Sequence, residues 1–244
     1  MKKLIILSLF VFMCVLNAQD YLKIDFEQTK NYNQSASYVG KTTLTQNQSQ
    51  ALYIEFYNEE IEDFGTEEGD LVVSLGGGKS VYFKDYTNNS MLYENTIQFK
   101  HFPTKEKIDL IQWEIMSNET EEVLGYTCQI AIGEFRGRTY VAYFTDKLGF
   151  NGGPWKFDGL PGMILKVKST DNMLNITAYS IELKNQNLTI ENPYQDTKDF
   201  IDYAHFKDLY AIKYKEINRS EVLENGGMMT IGMPACQIEC HVVE

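Results

Sequence analysis

The sequence predicts a mainly β, α+β fold: a curved antiparallel β-sheet laid down as a meander, with one C-terminal amphipathic helix. Three observations predict it. Apolar and polar residues alternate in short runs, as in Leu22, Ile24 and Phe26 against Lys23 and Asp25, the pattern of a half-buried strand. Short turn signals separate the later runs, which suits antiparallel neighbours. Sixteen Tyr and fourteen Phe supply bulky, strand-favouring side chains for a core.

Residues 1–18 read as a signal peptide. Lys2 and Lys3 form a basic start, Leu4 to Leu16 an apolar stretch, and Leu16-Asn17-Ala18 a small-residue cleavage site. The stretch is shorter than the ~20 residues of a spanning helix. Phe12 and Met13 before Cys14 argue against lipidation there. One β-rich domain follows over 19–227, then a sulfur-rich tail over 228–244.

The first strand covers 21–29. The Asn-, Gln-, Ser- and Thr-rich stretch 28–50 reads as loop with ragged edge pairing, and Leu52, Ile54 and Phe56 as one face of a second strand. The acidic residues between 58 and 70 fit a solvated loop rather than a calcium loop. Gly76-Gly77-Gly78-Lys79-Ser80 lacks the further Gly of a phosphate loop, where Val73 stands, and fits a hairpin between β-like runs. Further strands are expected at 92–99, around Ile111, Trp113 and Ile115, at 123–135, 139–145, 163–168 and 174–183. Turns fall at Asn118-Glu119, Arg136-Gly137-Arg138 and Asp171-Asn172, and His101 beside Phe102-Pro103 reads as a strand end. Over 197–215, Phe200, Ile201, Ala204, Ala211, Ile212 and Tyr214 recur near helical spacing and predict the helix.

The net charge of −12 argues against nucleic-acid binding and against docking on anionic lipid. Without Cys14 three cysteines remain, Cys128, Cys236 and Cys240, so at least one is unpaired within the chain. Cys128 sits mid-strand as a buried thiol.

The most constrained stretch runs from Gly152 to Leu165. Gly153, Pro154, Gly159, Pro161 and Gly162 restrict or free the backbone, while Trp155, Phe157, Leu160, Met163 and Ile164 pin it to a core. Gly159-Leu160-Pro161-Gly162-Met163-Ile164 resembles the signature of the GLPGLI family of exported Bacteroidetes proteins. Gly125-Tyr126-Thr127-Cys128-Gln129, Phe135-Arg136-Gly137-Arg138, Ala142-Tyr143-Phe144-Thr145 and Gly153-Pro154-Trp155-Lys156-Phe157 carry the likeness over roughly residues 108–183. Met163 stands where the family usually has Leu. The resemblance implies an exported β-rich protein in the periplasm or at the outer-membrane periphery, with a TonB-dependent outer-membrane receptor as partner. The layout is also similar to periplasmic lipoprotein carriers of the LolA and LolB kind, which implies a half-barrel over an apolar cavity.

Three functions stay open. The first is a non-enzymatic periplasmic binding or accessory protein that holds a hydrophobic ligand or partner segment, with Trp155, Lys156, Phe157, Arg136 and Arg138 as ligand-binding residues. The second handles copper through Met228, Met229, Met233, Cys236, Cys240 and His241, soft donors suited to Cu(I), unless Cys236 and Cys240 form a disulfide. The third is a hydrolase with Cys128 as nucleophile. No catalytic residue and no required cofactor is assigned in the first reading.

Overall fold

A computed structural model describes residues 21–33, 36–57, 78–218, 220–222, 228–230, 232–235 and 238–241. The signal segment, the acidic run 58–70, Gly76, Gly77 and Cys236 lie outside the described residues. Among the described residues no helix is long and apolar enough to cross a membrane.

Eleven strands form the main sheet: β1 (Tyr21–Asn33), β2 (Ala36–Gln46), β3 (Gln50–Tyr57), β4 (Gly78–Asp85), β5 (Ser90–Ile97), β6 (Lys100–Glu106), β7 (Trp113–Val123), β8 (Tyr126–Phe135), β9 (Arg138–Thr145), β10 (Met163–Ser169) and β11 (Leu174–Lys184). Their order is β6-β5-β4-β3-β2-β1-β11-β10-β9-β8-β7. Two antiparallel meanders therefore lie side by side and join where β1 pairs with β11, from Tyr21↔Lys184 to Lys30↔Leu174.

This order demands curvature. The chain passes from one sheet edge, β6, to the other, β7, through residues 107–112 alone. So short a segment reaches roughly 25 Å fully extended, whereas ten strand spacings of about 4.8 Å would part the edges of a flat sheet by roughly 48 Å. The sheet must curl its edges toward each other. Register shifts in β1, β7 and β10 supply local bends. Ile108 and Ile111 of the crossover are buried against the core.

The concave face carries the main core. Leu22, Ile24, Phe26, Leu44, Tyr53, Tyr93, Tyr140, Ala142, Val167 and Ile176 are buried there. On the outer face, Phe83 and Leu92 pack with Ile190 and Leu188 of the segment after β11. That segment returns to β6, where Ile201 exchanges backbone hydrogen bonds with Pro103 and Lys105 at 3.0 and 2.9 Å. It then enters helix α1 (Tyr203–Ile217), and a short hairpin of β12 (Ser220–Val222) and β13 (Met228–Thr230) follows.

Several expectations are corrected. The polar stretch 28–50 contains β2, an interior strand rather than a ragged loop. Its polar side chains are paired inside, since Tyr53 Oη lies 2.8 Å from Thr42 Oγ1 and 3.1 Å from Gln28 Oε1. Lys100–Glu106 is a full strand, and its Pro103 is tolerated at a sheet edge, where no ladder donor is needed. The turn expected at Asn118-Glu119 is an irregularity within β7. The reversal comes at Leu124 and Gly125, both at positive φ. Helix α1 starts later than 197 because Asp202 caps it, accepting from the His205 amide at 2.8 Å. Its buried residues are Phe206 and Tyr210, while Ile212 is exposed.

Candidate functional site

Residues 146–162, between β9 and β10, lie inside the curl. The loop is stitched to β10 by Ile164 N to Gly152 O at 2.8 Å and Gly152 N to Gly162 O at 3.2 Å. Gly153 and Gly162 are fixed by close approach: a Cβ would sit 2.6 Å from the Phe157 carbonyl and 2.5 Å from that of Thr145, respectively. Trp155 is held at φ +50°, an unusual conformation for a residue with a Cβ. Its Nε1 donates to Tyr82 Oη at 3.0 Å, and its ring meets Phe135 and Phe157 edge-on. Phe157 is fully buried against Tyr140, Phe135 and Trp113. The loop thus touches β4 on one side and β7 to β9 on the other. It fills the apolar hollow with its own side chains, so that hollow is a core and not an open site for a hydrophobic ligand.

Two polar assemblies flank this core. At one end Lys84 reaches Asp158 Oδ2 at 2.5 Å and the Gly153 carbonyl at 2.8 Å. Tyr86 donates to Asp158 Oδ1 at 3.2 Å, and Trp113 Nε1 to the Asp158 carbonyl at 2.7 Å. Burial pushes Asp158 up to about 6 despite the Lys84 charge, and lowers Lys84 despite Asp158. Asp158 still ionises below neutral pH, and the contact is read as an ion pair.

At the other end Lys156 binds both oxygens of Glu239, at 2.9 and 2.7 Å. Arg136 also pairs with Glu239 and grips Glu106 with Nη2, 2.6 Å from each oxygen. The Arg136 guanidinium lies 3.2 Å from the Tyr203 ring centre, and Lys156 Nζ lies 4.0 Å from that of Tyr93. Desolvation pushes Lys156 well below the ordinary lysine value, and neighbouring Arg136 adds to the effect.

Beside this network is a cavity of about 250 Å³. Sheet residues Lys30, Glu55, Tyr57 and Tyr82, loop residues Trp155 and Lys156, Phe206 of α1, and Glu239 and His241 of the tail line it. Glu55 is 2% exposed. Its Oε2 accepts from Lys30 Nζ at 3.1 Å and Tyr57 Oη at 2.9 Å. Its Oε1 is buried and has no hydrogen-bond partner among the described residues. His241 bonds Tyr203 Oη through Nδ1 at 2.9 Å, and burial, with Lys156 and Arg136 nearby, lowers it to about 4, so its ring is neutral.

Residues 86–208, half of the chain, match the family described as N-glycanase peptide, N-terminal domain. The chain belongs to this family. The matched segment runs from the end of β4 into α1 and includes the loop and most of the ion network. Among solved structures, PNGF-II in space group P21 shares 17% identity at a TM-score of 0.50, covering 80% of this chain and 34% of that one. PNGF-II in space group C2 gives 15% identity and a TM-score of 0.50, covering 80% and 33%. This family member therefore spans about a third of the length of those chains, and the likeness is one of fold. A LolA superfamily protein from Nitrosomonas europaea shares 6% identity at a TM-score of 0.31, covering 75% and 91%. No curated protein sequence matches the chain.

Of the residues expected to bind ligand, Trp155 and Lys156 line the cavity. Arg136 stands behind it in the ion network, Phe157 is sealed in the core, and Arg138 pairs with Asp171 at 3.1 Å. Gly153, Gly159, Leu160, Pro161, Gly162, Met163 and Ile164 shape the loop and its junction with β10, and Pro154 accepts from the Phe157 amide at 3.0 Å.

Of the copper set, Cys236 and the side chains of Met228 and Met229 lie outside the described part of the structure. Cys240 is disulfide-bonded, which removes the thiolate a soft ion needs. Met233 packs with the α1 aromatic cluster, while Met228 and Met229 pair with Val222 and Glu221 in the terminal hairpin. His241 faces Tyr203, Phe206 and Tyr210. Cys128 is fully buried, and its thiol is pushed up to about 11 by desolvation, the opposite of an activated nucleophile.

Sequence reasoning missed Glu55, Lys30, Tyr57, Tyr82 and Glu239. The phase of β3 hid the first. Ala51, Tyr53 and Glu55 face inward, and Leu52, Ile54 and Phe56 face out, the reverse of the apolar reading.

Proposed function

We propose that the chain is a non-enzymatic binding module that encloses a small polar ligand in the cavity between sheet, loop and tail. One observation carries the reading: Glu55, a residue of the cavity wall, has its Oε1 buried without a hydrogen-bond partner among the described residues. Leaving a buried acceptor unsatisfied costs about 1–3 kcal/mol, more for a charged group, so a donor from a bound molecule is the natural complement. The cavity lies just below the roughly 300 Å³ at which small-molecule pockets begin, which suits a single small molecule. The basic start and apolar run of residues 1–18 support export to the periplasm or outer-membrane periphery. The GLPGLI resemblance supports a TonB-dependent receptor as partner there. The family's description as part of an N-glycanase supports a ligand drawn from glycans or glycoproteins.

Native mass spectrometry of the protein recovered from its own compartment tests the reading. A bound small molecule that disappears in Glu55→Ala is expected. A mass equal to the bare chain, with no small molecule stabilising the fold in a thermal-shift panel of sugars, amines and carboxylates, would overturn it.

A further inference from the structure

Residues 238–241 are seated on the rest of the chain as a peptide ligand would be, through contacts that do not involve Glu55. Among the described residues one backbone hydrogen bond, Cys240 N to Arg136 O at 3.1 Å, joins them to the main sheet. Side chains do the rest. Glu239 places both carboxylate oxygens on Lys156 Nζ, at 2.9 and 2.7 Å, and also pairs with Arg136. Tyr140 Oη donates to the Ile238 carbonyl at 3.3 Å, and Ile238 packs on the main core. The His241 ring sits among Tyr210, Phe206 and Tyr203, with ring centres 4.6, 5.4 and 5.9 Å away.

The seat is shaped against local preference. Arg136 and Gly137 are the two central residues of the β8–β9 turn, and both have positive φ. Asn or Gly takes the first of these places with least strain, and a long side chain there is disfavoured. What Arg136 brings is its guanidinium, which holds Glu106 and Glu239. Gly137 leaves room for the tail, since a Cβ on it would lie 3.0 Å from Cys240 Sγ. The Lys156 side chain is 1% exposed, and among the described residues Glu239 is the carboxylate it pairs with. Glu106 belongs to β6 and stays with Arg136 if the tail leaves. A buried ammonium stripped of its partner is strongly unfavourable, so a molecule that displaces the tail must bring a carboxylate of its own. We propose that the β8–β9 turn, Lys156 and the aromatic face of α1 form a groove for a short acidic segment of a partner protein, in which Glu follows an apolar residue and stands two places before His or an aromatic residue. Residues 238–241 fill this groove in cis as a self-ligand. A tethered segment acts at an effective concentration in the millimolar range, so the parent chain resists a free peptide, and a chain without the Glu239 carboxylate accepts it.

The test is fluorescence anisotropy of a labelled peptide, Ile-Glu-Ala-His, titrated with the full chain. Reductant is left out because Cys240 is disulfide-bonded. Glu239→Ala is expected to bind the peptide roughly tenfold or more tightly than the parent chain does. The peptide with Gln in place of Glu is expected to bind Glu239→Ala roughly tenfold or more weakly, because the charge-assisted contact is lost. Equal binding of the Glu and Gln peptides, or no binding of either to Glu239→Ala at millimolar chain, would overturn the proposal. Dimers of the parent chain that Glu239→Ala abolishes would overturn it in favour of a second copy as the occupant. Should Glu239→Ala fail to fold, hydrogen exchange on the parent chain replaces it. Millimolar peptide is expected to speed exchange of the Cys240 amide, which the Arg136 carbonyl now holds, and an unchanged rate would overturn the groove. These outcomes leave the small-molecule reading to native mass spectrometry, which tests Glu55.

Discussion

The two ends of the interior hold the same kind of pair and treat it differently. Lys84–Asp158 and Lys30–Glu55 are both lysine–carboxylate contacts anchored on the concave face. Around Lys84–Asp158 both carboxylate oxygens are engaged, Oδ2 by Lys84 and Oδ1 by Tyr86. Around Lys30–Glu55 one oxygen is left over, and a cavity sits beside it. One buried carboxylate is closed off on both oxygens by its own chain, whereas Glu55 keeps one acceptor unmatched among the described residues, the feature on which the proposed site rests.

The largest expected effect would come from breaking the closed pair. Asp158→Ala strands Lys84, which is fully buried, and should cost about 3–5 kcal/mol in urea unfolding. Glu55→Ala should cost clearly less, because Lys30 borders the cavity and can be rehydrated. Equal losses would break the comparison. Next is the loop that separates the ends. Gly162→Ala places a Cβ 2.5 Å from the Thr145 carbonyl and should cost about 1–3 kcal/mol, with Gly153→Ala similar. Each would appear as a lower denaturant midpoint.

A smaller effect should follow pH at the open end. The folded value of His241, about 4, lies below its unfolded 6.5. Its contribution to stability is therefore complete above pH 6.5 and is lost as pH falls toward 4. The facing groups are Tyr203, Tyr210, Lys156 and Arg136. Discounted for partial exposure, the loss should be about 1 kcal/mol. Asp158 acts in the opposite sense, since its raised value favours the folded state as pH falls through 6. The His241 contribution is thus read as the difference between the parent and His241→Phe, whose melting temperature should fall less between pH 7 and 4.5. An identical slope in both would remove His241 from the account. The smallest effect concerns Cys128: iodoacetamide at pH 8 should leave it unlabelled in the folded chain and label it after unfolding in urea.

Much of the sheet was legible because its strands announce themselves by alternation and its hairpins by glycine. Arg136-Gly137 and Asp171-Asn172 turn where expected. The loop was legible because Gly, Pro and large aromatics together leave few conformations. The site was largely illegible. Glu55 sits in a strand whose more apolar face points outward, so hydrophobic phase misassigns it. Glu239 meets Lys156 and Arg136 across 83 and 103 residues of sequence. Only closure of the curl brings them together, and no local pattern encodes it. The face of α1 was only partly legible: Tyr214 and Ile201 do pack in its cluster, but the buried anchors are Phe206 and Tyr210, and Ile212 is exposed.

The junction of β1 with β11 has a consequence for how the chain becomes a protein. Every other strand pair in the main sheet joins neighbours in sequence except this one, which spans from Tyr21 to Lys184. The two meanders can form early from strands that are neighbours in sequence, but each keeps a bare edge until the distant strands meet. Such long-range pairing is intrinsically slow. The assembly step is therefore expected to be the zipping of two preformed halves. Until then β1 is an exposed template for wrong partners, and the molecule is most open to aggregation.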